Sequence, residues 1–207
     1  SFVRDSQNYR AMKNLILFMH VSLDGFVAGP NGEMDWIRVD EEIFDYAARL
    51  TDHSDTALYG RITYEMMNAY WPTAGEQPEA SKHDKHHSRW YNSVAKVVIS
   101  NSMKSHEITN TKIIGSENLL EEIQAVKRHG DMNIAIFGSP SASHALMRQG
   151  LIDEYWLFIN PVLLGAGIPL FRDIRQKMDL KLEESKVFAS GVIGAHYTTV
   201  SDLYKSQ

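Results

Sequence analysis

Residues 134–171, IAIFGSPSASHALMRQGLIDEYWLFINPVLLGAGIPLF, compress a strand, a tight turn, a helix and a second strand into one unit. Residues 133–137 are a short apolar run that ends at Gly138, and Ser139, Pro140 and Ser141 then open a helical stretch carrying Ala142, Ala145 and Leu146. A helix start at that point aims unpaired backbone N–H groups and the positive end of the helix dipole at the carboxyl end of the strand, an arrangement that holds phosphate without a lysine. One such unit is a common pattern. Here it recurs: residues 56–59 are another strand-like run, followed by Gly60, Arg61, Ile62, Thr63, Tyr64 and Glu65, where a glycine turn leads into a helix with a cation and a hydroxyl in its first turn. Residues 96–102, KVVISNS, form a third strand that ends in hydroxyls and an amide. Ligands of open α/β sheets bind outside the carboxyl ends of the strands, and two glycine turns suit a pyrophosphate.

Around these units the chain predicts a doubly wound α/β sheet with an antiparallel end. Strands are expected at 13–20, 56–59, 95–100, 112–115, 133–137, 154–160, 180–188 and 192–200, and helices near 40–52, 61–69, 117–128 and 141–149. Ser190 and Gly191 supply the turn of a terminal hairpin. The stretch 71–92 is broken by Pro72, Gly75 and Pro78 and continues into a polar helix, read as a surface excursion near the mouth of a pocket.

At 207 residues and 43% hydrophobic content the chain can bury one sizeable core, with no linker dividing it, so a single domain over 12–207 is expected. Residues 1–11, SFVRDSQNYRA, show neither strand alternation nor a helical face and read as a tag or extension preceding Met12. The net charge of −5 and the scattered basic residues argue against a nucleic-acid partner. No apolar run reaches the roughly 18 residues that span a bilayer, and no secretory signal is read at the N-terminus. Zero cysteines exclude disulfides and thiolate metal sites, leaving the cytoplasm as the default compartment.

The blocks SLDGFVAG (22–29), MDW (34–36), LYGRITYE (58–65), VVISNS, IAIFGSPSAS and LIDEYWLFINPVLLGAGIPLF, in that order, resemble the dihydrofolate reductase-like superfamily, and within it the branch of the riboflavin-biosynthesis reductase domain. The resemblance implies a mostly parallel central sheet flanked by helices, NADPH as cofactor, hydride transfer to a small molecule and a two-fold homodimer. It places Arg61 near the adenosine 2′-phosphate, where a planar fork of donors suits the dianion. It places Thr63 on the pyrophosphate with Gly60 in the turn beside it, Ser100 and Asn101 at the adenosine end, and Gly138, Ser139, Ser141 and Ala142 in the second phosphate turn. An ion pair from Arg61 to Glu65, four residues on, is the competing reading. Ser139 and Pro140 stand where many relatives resemble Gly-Gly, and Pro140 lacks a backbone donor, although at the first helical position that donor has no intrahelical partner in any case.

The proton donor is expected among carboxylates. Asp40, Glu41 and Glu42 follow Trp36 at the distance seen in dihydrofolate reductases, with Glu41 nearest the matching position and Trp36 and Asp40 expected at the substrate. All three acids equally suit the dipole of a helix start. Asp24 is the rival, although Asp-Gly is also a favourable turn pair. If Asp24 and Glu41 both lie away from the pocket, a nucleotide-binding or sensor module without turnover gains over an enzyme. Folate is disfavoured, because SRWYNSVAK lacks the arginine block that holds its glutamate tail, and a zinc deaminase activity is excluded by the missing cysteines. His83 and His87 stand one helical turn apart but lack the glutamate of a zinc-binding helix, so no metal is expected and a solvated helix face is.

Overall fold

The strand Leu15–Ser22 (β1), LILFMHVS, is apolar along nearly its whole length because both of its faces are covered by helices. In the computed structural model, which describes residues 12–103 and 108–200, β1 lies inside an eight-stranded sheet. The expected extension at 1–11 lies outside the described residues. The further elements, in chain order, are Phe26–Ala28 (β2), Glu41–Asp52 (α1), Ser54–Gly60 (β3), Arg61–Ala74 (α2), Lys82–Ser93 (α3), Ala95–Ile99 (β4), Thr111–Ile114 (β5), Leu119–Lys127 (α4), Asn133–Phe137 (β6), Pro140–Arg148 (α5), Glu154–Asn160 (β7), Ile168–Pro169 (β8), Leu180–Val187 (β9) and Ile193–Thr199 (β10). The sheet order is β5-β4-β3-β6-β1-β7-β10-β9. Strands β5 to β7 in that order run parallel, and β10 and β9 close the sheet as an antiparallel hairpin turning at Gly191. The expected α/β architecture is therefore the one observed.

Strand alternation divides the core in two. Leu15, Leu17, Met19, Leu58, Ile134, Ile136, Tyr155 and Leu157 pack with Leu119 and Ile123 of α4 and Ala142, Leu146 and Met147 of α5. Ile16, Ala57, Tyr59, Ala135, Phe137, Trp156 and Phe158 pack with Ile43, Tyr46 and Leu50 of α1, Tyr64 of α2 and Tyr91 of α3.

Two departures from expectation bear on function. The short strands β2 and β8 pair with each other outside the main sheet and tie the SLDG turn to the PVLLGAGIPLF segment; at three and two residues they are too short to show periodicity. The stretch 71–92, read as a surface excursion, is instead the end of α2 and the whole of α3, packed against each other and against α1. Gly75 permits the approach, since a Cβ there would come within 3.1 Å of Ser88 Cβ and 3.2 Å of Lys85 Cα. A capping box between Ser81 and Asp84 starts α3.

Candidate nucleotide and substrate site

The helices α2, α4 and α5 each follow a parallel strand directly, and none of the three has a side-chain cap at its N-terminus. By contrast α1 is capped by Asp40, whose carboxylate accepts from Ile43 N at 2.8 Å, and α3 by Ser81. The carboxyl edge of the sheet thus presents uncapped helix starts at the turns singled out in the sequence.

The turns after β3 and β6 are locked together. Ser139 has φ +55° and is buried, and its hydroxyl accepts from Gly60 N at 2.8 Å instead of capping its own helix. A Cβ on Gly60 would stand 3.5 Å from Ala142 Cβ and 3.5 Å from Ser139 Oγ, and one on Gly138, whose φ is +62°, would stand 3.8 Å from Thr63 Cγ2. Gly60, Thr63, Gly138, Ser139 and Ala142 are therefore brought together. The Ser139 hydroxyl accepts within the chain and keeps its own O–H as a donor, beside the backbone N–H groups that open α2 and α5.

The side chains around this cradle are held by one another. Arg61 Nη1 lies 2.9 Å from both carboxylate oxygens of Glu65, with both side chains largely exposed. Asn101 donates to Ser116 Oγ at 2.7 Å and accepts from Ser116 N at 2.8 Å, while Ser100 Oγ accepts from Met103 N at 2.9 Å, so these two residues shape the loops after β4 and β5. Ser141 is exposed at the start of α5.

A cavity of about 230 Å³ opens beside Gly138 on the face covered by α1, α2 and α3. Its walls are mainly aromatic and aliphatic, with Phe18, Ile43, Phe44, Tyr59, Trp71 and Phe137 among them, and its titratable rings are His20, His83, His86 and His87. Burial pushes His20 down to about 4 and His87 down to about 3, so both rings are neutral at pH 7. Asn160 at the end of β7 is fully buried; its Oδ1 accepts from Arg38 N at 2.8 Å, and its Nδ2 donates to Phe158 O at 3.0 Å and lies 3.3 Å from His20 Nδ1.

None of the expected acids lines this cavity. Asp24 is exposed and accepts from Ser22 Oγ at 2.7 Å, Gly165 N at 2.7 Å and Leu164 N at 3.1 Å, so it clamps the loop after β7 to the β1–β2 turn. The Ser22 hydroxyl and then the Gly165 amide hold its carboxyl below the usual range, which suits an anion and not a proton donor. Asp40 is the cap of α1, and Trp36 donates to Glu33 O at 3.0 Å. Glu41 is exposed in the first turn of α1, whereas Ile43, Phe44, Ala47, Ala48 and Thr51 of the same helix reach the cavity. The histidines of α3 also depart from expectation: His87 is buried beside Trp71, at 4.1 Å between ring centroids, and His83 stacks on Phe44 at 4.0 Å, so they wall the cavity and do not form a solvated face. Among the described residues no group of three or more His, Asp or Glu side chains could hold a metal ion. His20 and Asn160 were missed, although a histidine and an asparagine at the carboxyl ends of otherwise apolar strands were the available signal.

The fold, with its carboxyl-edge cradle and adjoining cavity, defines an α/β protein of the dihydrofolate reductase type. A dihydrofolate reductase from Enterococcus faecalis, solved with NADP(H) and RAB-propyl, is similar with a TM-score of 0.60 and 14% identity over 91% of this chain and 97% of that one. A pyrimidine reductase-like protein from Corynebacterium diphtheriae gives a TM-score of 0.62 and 15% identity over 92% and 93%. Within that class, the family model of the RibD C-terminal domain matches residues 13–193, and the chain belongs to this family. The uncharacterized protein YyaP of Bacillus subtilis (strain 168) is 34% identical over 194 residues, covering 92% of this chain and 97% of its own length. The two solved relatives are both named for a reductase, and among the described residues no helix is long and apolar enough to cross a membrane.

Proposed function

We propose that the protein is an NADPH-dependent reductase of a small heterocyclic or carbonyl substrate, pterin-like or ribosylaminouracil-like, working in the cytoplasm as a homodimer. The observation that carries this reading is continuity: Gly138 belongs both to the locked pair of helix starts and to the lining of the cavity, so a ligand anchored by its phosphates reaches the cavity with its other end. The donor set fits such a cofactor. The backbone N–H groups of Arg61, Ile62 and Thr63 and of Ser141 and Ala142 would receive the pyrophosphate, with the Thr63 hydroxyl beside them. Arg61 would leave Glu65 for the 2′-phosphate, an exchange made easy by the exposure of the pair. Ser100 and Asn101 would bound the adenosine end. When bound, the cofactor supplies the hydride, and the chain supplies orientation and a water-poor cavity.

The test is a titration of NADPH and NADH by fluorescence, followed by NADPH absorbance against pterins, flavins, ribosylaminouracils and simple carbonyls. Arg61→Ala is expected to weaken NADPH by about 1.5–3 kcal/mol, the scale of a hydrogen bond to a charged group, and NADH far less. Equal losses for both cofactors reject the 2′-phosphate assignment.

One observation favours a second reading. Asp24 and Glu41 are both exposed and outside the cavity, which is the arrangement expected of a nucleotide-binding or sensor module without turnover. NADPH that binds but is oxidised by no member of the panel supports that reading over the enzyme.

A further inference from the structure

The cavity contains an unusual combination of groups. No lysine, arginine, aspartate or glutamate lines it, so an ionised ring entering it would lose its hydration with no counter-charge to replace it. Its polar groups are few. His86 is engaged at the rim with Asp52 at 2.8 Å, and His83 and His87 contribute ring faces to an aromatic wall.

His20 differs from these three because its tautomer is fixed. Asn160 has one assignment that satisfies its neighbours: Oδ1 must face the Arg38 N–H, and Nδ2 must then donate to Phe158 O. The second N–H of that amide is left for His20 Nδ1, which must accept. A neutral imidazole that accepts at Nδ1 carries its proton at Nε2. His20 Nε2 has no hydrogen-bond partner among the described residues, and the residue lines the cavity.

Tyr59 offers no second handle. Its side chain is wholly buried, and its hydroxyl, one of four buried side-chain polar atoms without a hydrogen-bond partner among the described residues, presents no accessible surface to the cavity. Phe18 and Phe137 are level in the register of β1 and β6, and His20 stands two residues further along the Phe18 face.

Resting on the reductase reading above, we propose that the Nε2–H of His20, positioned by Asn160, is the specificity-determining donor of the cavity, and that its ligand is an uncharged planar ring bearing a carbonyl or imine acceptor. Phe18, Phe44, Phe137 and Trp71 supply faces for stacking, and the donor selects which edge of the ring enters. Asn160 acts through His20 and is a positioning residue.

The test needs no turnover. Calorimetric titration with pterin and uracil, and with the carboxylated uracil orotate, is run on the wild type, His20→Phe and His20→Gln. Pterin or uracil is expected to bind the wild type, roughly tenfold more weakly to His20→Phe, the effect of one lost hydrogen bond, and with partial recovery in His20→Gln, which keeps a donor. Orotate is expected to bind at least roughly tenfold more weakly than uracil. Multiple-bond ¹H–¹⁵N NMR of the imidazoles is expected to show His20 protonated at Nε2 in the wild type and at Nδ1 in Asn160→Asp, where a carboxylate oxygen faces the ring; the wild-type spectrum alone decides the tautomer if that variant does not fold. Undiminished binding in His20→Phe, no binding of either neutral ring, or an Nδ1–H tautomer in the wild type overturns the proposal. NADPH affinity, measured separately, keeps the two readings apart: its absence in the wild type removes the reductase, whereas NADPH that binds wild type and His20→Phe alike, with rings indifferent to His20, removes this inference alone.

Discussion

Ser139 sets two local effects against each other in one side chain. Its backbone has φ +55° and ψ +70°, a region that costs a non-glycine residue about 1 kcal/mol or more. Its hydroxyl gives the buried Gly60 N–H its acceptor at 2.8 Å, and an unsatisfied buried amide costs about 1–3 kcal/mol. Ser139→Ala removes the acceptor and keeps the strain, so it is expected to destabilise the fold by about 1–3 kcal/mol. Ser139→Gly removes both and should fall between the alanine variant and the wild type. Urea midpoints order the three proteins, and a glycine variant less stable than alanine contradicts the account. The same substitutions unlock the two helix starts from each other, so NADPH affinity should fall with stability in the alanine variant. Glycine at this position adopts the turn without the steric cost that a side chain carries.

At the scale of elements, the apolar strand β7 needs cover on both faces, and the chain supplies it. Tyr155, Trp156, Leu157 and Phe158 are buried within the chain, between β1 and β10 and under the helices of both faces. The uncovered apolar surface lies further out. Ile193 pairs with Val187 and Tyr197 with Leu182, which places these side chains on the face of α4 and α5 but beyond the strands those helices cover, and Leu182 and Val187 are 50% and 75% exposed. A two-fold dimer through this end of the sheet is expected to sediment at twice the 23.5 kDa chain mass, and Leu182→Glu with Val187→Glu to shift it to the monomer. A wild type that remains monomeric at micromolar concentration removes the dimer. The long elements were legible because their signals are local: β1 and β7 are continuous apolar runs, α1 begins at a capping aspartate, and the glycines after β3 and β6 mark the carboxyl edge. The cavity was less legible for a physical reason. Its walls come from β1, β2, α1, β3, α2, α3 and β6, far apart in sequence, and the polar pattern of KHDKHHSRWYNS does not reveal that His87 turns inward against Trp71 and Trp90. The acids of the DG turn and of DEE follow strong local rules for turns and caps, and those rules account for where Asp24 and Asp40 end up.

For the whole molecule, the aromatic cavity makes stability depend on pH in a range where carboxylates contribute little. Burial lowers His87 to about 3 and His20 to about 4, and also lowers His83, so the folded chain holds these rings neutral while the unfolded chain binds protons near the ordinary value of 6.5. Where the unfolded state binds more protons, stability rises with pH. The contribution of each ring is therefore fully present above the unfolded value and is lost progressively as pH falls from there toward the folded value. Each fully buried histidine can steepen the dependence by at most about 1.4 kcal/mol per pH unit. The carboxylates held low in the fold, such as Asp84 and Glu184, begin to contribute only near their own ordinary values of 3.8 and 4.5, so the interval from about pH 7 to about pH 5 reports mainly the histidines. Urea unfolding across that interval should show the wild type losing stability steadily. His87→Phe keeps an aromatic ring against Trp71, Trp90 and Phe137 and removes the group that titrates, so its slope should be shallower by up to about 1.4 kcal/mol per pH unit. Equal slopes in the two proteins would mean that His87 is protonated in the fold, with solvent reaching the cavity floor, and that the water-poor pocket required for discriminating neutral rings is absent.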